Sequence, residues 1–324
     1  MSQQILYLSR ADVEGLDIPM SDVIEQTALA FAEKGHGRAL MPAKHWIAFD
    51  NGRFFSAMSG ALPGIDTVVC KWQSGYHANS ELGLPFITGV LVLNRLEDGL
   101  PVAIMDSTWI TAKRTAAATA VTSRHLSSGR PETVAIIGCG VQGRSNVEAL
   151  ACVHPELATI RAFDIDPRAL DSFAADMGSR FGLSVVPCAS AEAAMPEADI
   201  VVTCGPIAPG GNRSIKADWL KAGSLLVTLD YDCYLANDVL HSVDSVFTDD
   251  VEQLRHLADY GFFLDAPEVI GEIGTVVAGA HPGRAETDLR VIAINMGIAL
   301  EDAAVARRVY ERAMAERVGV FLDT

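Results

Sequence analysis

Between Thr133 and Asp250, short apolar runs alternate with helix-like segments, and the first run leads straight into a glycine motif. Val134–Gly138 (VAIIG) reads as a buried strand, and a helix follows over Gln142–Cys152. Thr159–Asp164 is a second strand, followed by a helix at Pro167–Phe181, with proline in its first turn. Ser184–Pro187 is a third strand, Ala189–Met195 a short helix, and Asp199–Cys204 a fourth strand. Ser224–Asp230 and Ser245–Asp250 complete the series. Strands that are apolar throughout, alternating with helices, belong in a parallel sheet covered on both faces. The fold class expected is therefore α/β, with a Rossmann-type doubly wound sheet.

Gly138-Cys139-Gly140-Val141-Gln142-Gly143 is GxGxxG, placed where a strand gives way to a helix. In this setting the motif is a dinucleotide site. The first glycine allows a tight turn, the second lets backbone approach a pyrophosphate, and the third lets the helix pack closely on the strand. The N–H groups that open the helix, at Val141, Gln142 and Gly143, face the anion. A glycine turn without a ligand is the plain alternative. Asp164, at the end of the second strand, is positioned for the ribose 2′-OH of NAD, and its charge disfavours the 2′-phosphate of NADP. Asp166 fits better as the N-cap of the following helix, so the two aspartates can share the two tasks. Thr203, closing the fourth strand, completes the expected cofactor set.

The first 130 residues read differently. Val13–Lys34 has the spacing of one amphipathic helix. Trp46–Ile104 is strand-rich, with turn signals at Asn51-Gly52, Pro63-Gly64 and Asp98-Gly99, the last a hairpin candidate. Asp106–Leu126 is an Ala-rich helix, with Ser107 or Thr108 as a plausible cap, and Ser127–Pro131 a linker. Asp288–Val318 is helical by pattern and is expected to pack back on the first domain. The expectation is an α+β substrate and dimerisation domain over residues 1–130, completed by about 296–324, and a dinucleotide domain over 131–295. A length of 324 residues suits two domains.

With a formal net charge of −16 and no basic stripe, a nucleic-acid partner is not expected. No apolar run reaches the roughly 20 residues of a membrane span. Met1–Arg10 has no signal-peptide pattern, so the expected location is cytoplasmic. The six scattered cysteines contain no CxxC, which argues against a disulfide framework or a metal site. In an acidic chain, internal cations draw attention. Lys71 ends an apolar run, and Lys113-Arg114 sits among small residues in a helix. A lysine and an arginine so placed could hold a carboxylate, the arginine as a bidentate fork; surface cations are the equal alternative.

These segments resemble the ornithine cyclodeaminase/mu-crystallin family. The resemblance rests on KWxxGxxxN at Lys71–Asn79, ITAKRTAAATA at Ile110–Ala120, IGCGVQG at Ile137–Gly143 and AFDIDP at Ala162–Pro167. It extends to GEI at Gly271–Ile273 and GIALED at Gly297–Asp302. It implies a homodimer joined through the N-terminal sheets, and a nicotinamide cofactor, NAD rather than NADP, facing a small amino or imino acid. Lys71 and Arg114 match the family's carboxylate ligands. Lys44 stands where the family has an arginine, keeping the charge without the fork. Asp232 aligns with the family's proton-transfer aspartate, and Asp230 replaces a small residue two positions earlier. Met58 stands where cyclodeaminases carry a glutamate for the side-chain amine, and Ile292–Met296 replaces a Ser-containing run near the nicotinamide. The function implied is an NAD-dependent oxidoreductase of amino or imino acids, with a cyclodeaminase and a non-catalytic binder as alternatives.

Overall fold

A computed structural model describes residues 4–49 and 53–323, with the side chains of Ser80 and Glu81 left out. The Asn51-Gly52 turn lies outside the described residues. The chain divides into two compact units, Met1–Arg114 with Ile298–Thr324, and Thr115–Gly297. The helix Thr108–Leu126 runs across their boundary.

The first unit is built on a seven-stranded sheet. Its order is Val320–Asp323, Gln4–Leu8, Pro101–Asp106, Ile87–Asn94, Thr67–Gly75, Phe54–Leu62 and His45–Ala48. All neighbours are antiparallel except Gln4–Leu8 with Pro101–Asp106. Gly99 takes φ +75° in the loop of the expected hairpin, and Pro63–Ile65 forms a single 3₁₀ turn between two other strands. The helix Ala299–Glu316 packs on the three strands Phe54–Leu62, Thr67–Gly75 and Ile87–Asn94, and against the helix Met20–Gly35. The strand Thr67–Gly75 shows the consequence residue by residue. Val69, Lys71 and Gln73 are buried beneath the helix layer, whereas Cys70 and Trp72 are exposed on the other face.

The expected helix Val13–Lys34 is two helices, Arg10–Gly15 and Met20–Gly35. Asp17 turns the chain at φ +45°, and Pro19 cannot continue a helix because it lacks an N–H and crowds the residue before it. Ser9 caps the first helix, its Oγ accepting from the Asp12 N–H.

The second unit is an eight-stranded sheet, parallel throughout, as the apolar runs required. Its order is Gly271–Glu272, Ser245–Thr248, Val291–Ile294, Leu225–Thr228, Ile200–Thr203, Thr133–Ile137, Thr159–Phe163 and Ser184–Pro187. The sequence order reverses at Thr133–Ile137, which lies between the second and fourth strands of the unit. Val291–Ile294 corrects the reading of Asp288–Val318 as helix throughout. This run, VIAI, is buried along its whole length between two other strands, so it carries no amphipathic period of either kind. Gly297, at φ +80°, separates it from the helix Ala299–Glu316.

Candidate functional site

In the first unit, two charged residues expected to act together do meet. Lys71 stands mid-strand, in register with Met58 on one side and Leu91 on the other, and is fully buried. Arg114, on the second turn of the helix Thr108–Leu126, is also buried. Asp106 Oδ1 accepts from the Thr108 N–H at 2.9 Å, and the helix begins at Thr108, with Ser107, one of the two expected caps, at the position before it. Lys113, its neighbour, is only half-buried.

Sequence reasoning did not supply the partners of these cations. Asp302 Oδ1 accepts from Lys71 Nζ at 2.8 Å and lies 3.4 Å from Arg114 Nε. Glu301 Oε2 accepts from Arg114 Nη1 at 2.8 Å, and Thr111 Oγ1 accepts from Lys71 Nζ at 3.3 Å. Burial pushes the Lys71 ammonium down to about 8, against the pull of Asp302, and burial pushes the Glu301 carboxyl up against the pull of Arg114. A signal was present in the sequence: an adjacent Glu-Asp inside the Ala- and Val-rich helix that opens at Ala299. Charges in such a run are buried only when paired. Lys44 is buried in the same unit, just before the strand His45–Ala48. Met58 is buried beside Lys71 and takes a weak bond from Gln73 Nε2 at 3.7 Å.

In the second unit the glycine motif has the expected form. Gly138 takes φ +110°, and a Cβ there would lie 2.8 Å from the Cys204 carbonyl oxygen. A Cβ at Gly143 would lie 2.2 Å from the Gly138 oxygen, so only glycine allows this helix so near its strand. At Gly140 nothing stands within 4 Å of the Cβ position, and no side chain caps the helix Val141–Val153. An open, uncapped helix start of this kind fits a pyrophosphate. The adjoining cavity is lined by Gly138, Asp164, Ile165, Gly205, Pro206 and Tyr234, among others. Asp164 Oδ2 accepts from the Cys139 N–H at 2.7 Å and Oδ1 from the Asp166 N–H at 2.9 Å, which fixes the carboxylate at the cavity wall. Asp166 caps the next helix through the Arg168 N–H.

The two aspartates after the strand Leu225–Thr228 differ sharply. Asp230 is sealed in the sheet edge. Its Oδ1 accepts from Thr203 Oγ1 at 2.7 Å and its Oδ2 from the Gly205 N–H at 2.8 Å. Burial raises its carboxyl to about 7, against those two bonds. Thr203 is thus committed to Asp230. Asp232 lines a cavity of about 430 Å³ with Arg213, Asn237 and Asp265. Its Oδ2 accepts from Arg213 Nη2 at 2.6 Å and from the Phe263 N–H at 3.1 Å, while Oδ1 is buried with no hydrogen-bond partner among the described residues. The residue between them, Tyr231, is held at φ +60°, and Phe263 at φ +48°. Bulky side chains in this region cost on the order of 1–3 kcal/mol each, a strain that clusters at functional turns. Of the two, only Asp232 lines that cavity. Arg213 was not foreseen, because nothing in GGNRS marks it as the partner of a residue 19 positions on.

The family model for the ornithine cyclodeaminase/mu-crystallin family matches residues 4–317. The nodulation efficiency protein NfeD of Rhizobium meliloti is 34% identical, over 99% of this chain and 98% of its own length. The alanine dehydrogenase of Archaeoglobus fulgidus is 30% identical, over 98% and 97%. The structure of Thermococcus litoralis Delta(1)-pyrroline-2-carboxylate reductase in complex with NADH and L-proline superposes with a TM-score of 0.87 at 27% identity, covering 98% of this chain and 99% of the other.

Proposed function

Because this chain belongs to the ornithine cyclodeaminase/mu-crystallin family, we propose that it is an NAD-dependent oxidoreductase that interconverts a small imino acid and the corresponding amino acid. The observation that carries the reading is the convergence of Lys71 and Arg114, from a strand and a helix, in one buried cluster. In this reading Lys71, Arg114 and Lys44 hold the substrate carboxylate, Arg114 by its planar fork. The nicotinamide, when bound, supplies or takes the hydride at the substrate carbon. Gly138, Gly140, Val141, Gln142 and Gly143 hold the pyrophosphate, and Asp164 the adenine ribose. Asp232, with Oδ1 unpartnered, gives a proton to the imine nitrogen in reduction and removes one from the amine in oxidation. Physiological flow toward the amine is the preferred direction.

Two observations weigh against the alternatives. By the resemblance, Met58 stands where a cyclodeaminase has its carboxylate for the second amine, and it is buried beside Lys71. The cavity at Asp232 gives a proton-transfer group a place to work, which a pure binder does not need. The test is NADH oxidation with cyclic imines and with 2-oxo acids, each with and without amines, alongside basic amino acids. Turnover of an imine or of a 2-oxo acid plus amine is expected. Deamination of a basic amino acid with no net change in NADH would overturn the reading in favour of a cyclodeaminase, and no turnover in favour of a binder.

The cofactor preference is a separate prediction. NADH should bind more tightly than NADPH by on the order of 1–3 kcal/mol, because a 2′-phosphate meets Asp164. Of the two arginines near it in sequence, Arg161 is held by several partners and Arg168 is exposed. Arg161 donates to the Ala193 and Ala194 carbonyls and pairs with Glu197, and Arg168 pairs with Asp166. Calorimetric titration decides it, and equal or tighter NADPH binding sinks the assignment of Asp164.

The proposed assembly is a homodimer formed through the open face of the first unit's sheet. Tyr7, Trp72 and Val90 leave about two-fifths of their surface exposed on that face, an apolar area that suits a second copy. The domain roles follow: a substrate and dimerisation domain over residues 1–130 and about 296–324, and a cofactor domain over 131–295. Among the described residues no helix is long and apolar enough to cross a membrane, and a cytoplasmic location is proposed, with no nucleic-acid partner.

A further inference from the structure

The carboxylate ligands proposed above, Lys71 and Arg114, are already matched by two carboxylates of the same unit. We propose that Glu301 and Asp302 are positioning residues for substrate binding, with Asp302 bridging the two cations at a fixed spacing and holding Lys71 as an ammonium in a dry site. This deepens the reading of the site as a carboxylate clamp and rests on it.

The geometry is specific. A single oxygen, Asp302 Oδ1, lies 2.8 Å from Lys71 Nζ and 3.4 Å from Arg114 Nε, so one carboxylate sets the distance between both cations. Glu301 fixes the other end of Arg114 through Nη1 at 2.8 Å. All four side chains are buried, and the two cations and two anions balance. An ammonium has three N–H donors. Two of those on Lys71 are directed to Thr111 and Asp302, which leaves one for a ligand. Glu301 Oε1 and Asp302 Oδ2 have no hydrogen-bond partner among the described residues.

The chemistry around Lys71 explains why Asp302 is needed. The groups facing it are Asp302 and Glu301 from one helix, Arg114 and Thr111 from another, and Met58 and Leu91 on the flanking strands. Burial and Arg114 both favour the neutral amine, whereas Asp302 and Glu301 favour the ammonium. Removing Asp302 therefore shifts Lys71 toward the neutral form, and a neutral amine does not attract a carboxylate. Binding of a carboxylate ligand is lost as pH rises through the Lys71 titration, which lies at about 8, and without Asp302 the loss comes at lower pH.

The test is binding of L-proline to the NADH-loaded protein by calorimetry from pH 6 to 9. Both ligands are reduced, so no turnover is needed, and the result stands even if the reaction assigned above is wrong. Wild type should lose proline affinity near pH 8. Asp302→Asn should bind at least tenfold more weakly at pH 8, should recover part of that loss at pH 6, and should bind NADH as wild type does, which certifies the fold. Asp302→Glu should restore the wild-type pH profile at least in part. With an active substrate, Asp302→Asn should raise KM more than it lowers kcat. An unchanged profile in Asp302→Asn, or equal weakening at every pH, would overturn the proposal and leave the pair with a structural role alone. Failure of wild type to bind proline or any other carboxylate would overturn the clamp itself.

Discussion

Asp232→Asn should lower kcat by on the order of a hundredfold or more, the scale of a general acid–base contribution, and leave NADH binding unchanged. The expectation follows from the place of Asp232 in the cavity wall. Asp232 has one oxygen held by Arg213 and the Phe263 N–H and the other with no partner, in a cleft large enough for a small acid. Asparagine keeps the size and the held oxygen but cannot exchange a proton. Asp230→Asn should be milder in kcat, because both Asp230 oxygens already accept bonds within the sheet edge. It should show instead in stability. The folded Asp230 carboxyl is raised to about 7, above its ordinary value near 4, so wild type gains stability from this group at low pH and loses it as pH rises through that interval. The variant lacks that slope. Unfolding measured from pH 4.5 to 8, beside kcat, separates the two roles. If Asp230→Asn carries the larger loss of kcat, Asp230 is the proton-transfer residue.

Arg114→Leu should be the most destabilising single change in the first unit, by about 3–5 kcal/mol, because it leaves a buried carboxylate without its cation. Glu301 has no exposed surface on which to find water, and its carboxyl is already raised by burial. Loss of Arg114 raises it further, so the variant's deficit should shrink as pH falls and Glu301 takes up a proton. The double change Arg114→Leu with Glu301→Gln should recover much of the loss while still failing to turn over substrate. Denaturant unfolding at two pH values measures both effects. A single variant as stable as wild type at neutral pH would mean that Glu301 finds water or another partner.

The cofactor unit was legible because its signals are local. VAIIG, the glycines and Asp164 sit within one strand–helix–strand stretch, and the backbone rules that shape them act over a few residues. The clamp was half legible. Lys71 and Arg114 stood out as cations in apolar and small-residue settings, but Asp302 reaches Lys71 across 231 residues of chain. Periodicity carries no information on such a pairing. Arg213 was hidden for the same reason. The misread segments have different causes. Pro19 breaks a helix whose apolar spacing runs through it unchanged. VIAI at Val291–Ile294 is buried on every side, so its surroundings decided its conformation and its own pattern did not.

The placement of Val291–Ile294 bears on how the protein is made. That strand enters between Leu225–Thr228 and Ser245–Thr248, two strands that precede it in the chain by more than 40 residues. The next helix, Ala299–Glu316, covers the sheet of the other unit, and the last strand, Val320–Asp323, pairs with the first, Gln4–Leu8. Neither sheet is complete until almost the whole chain has left the ribosome. Most of a nascent chain therefore waits with open strand edges, the state most exposed to wrong pairing. A stop codon near residue 290 removes the middle of one sheet and the cover of the other, so a short truncation at this end disables both halves of the protein.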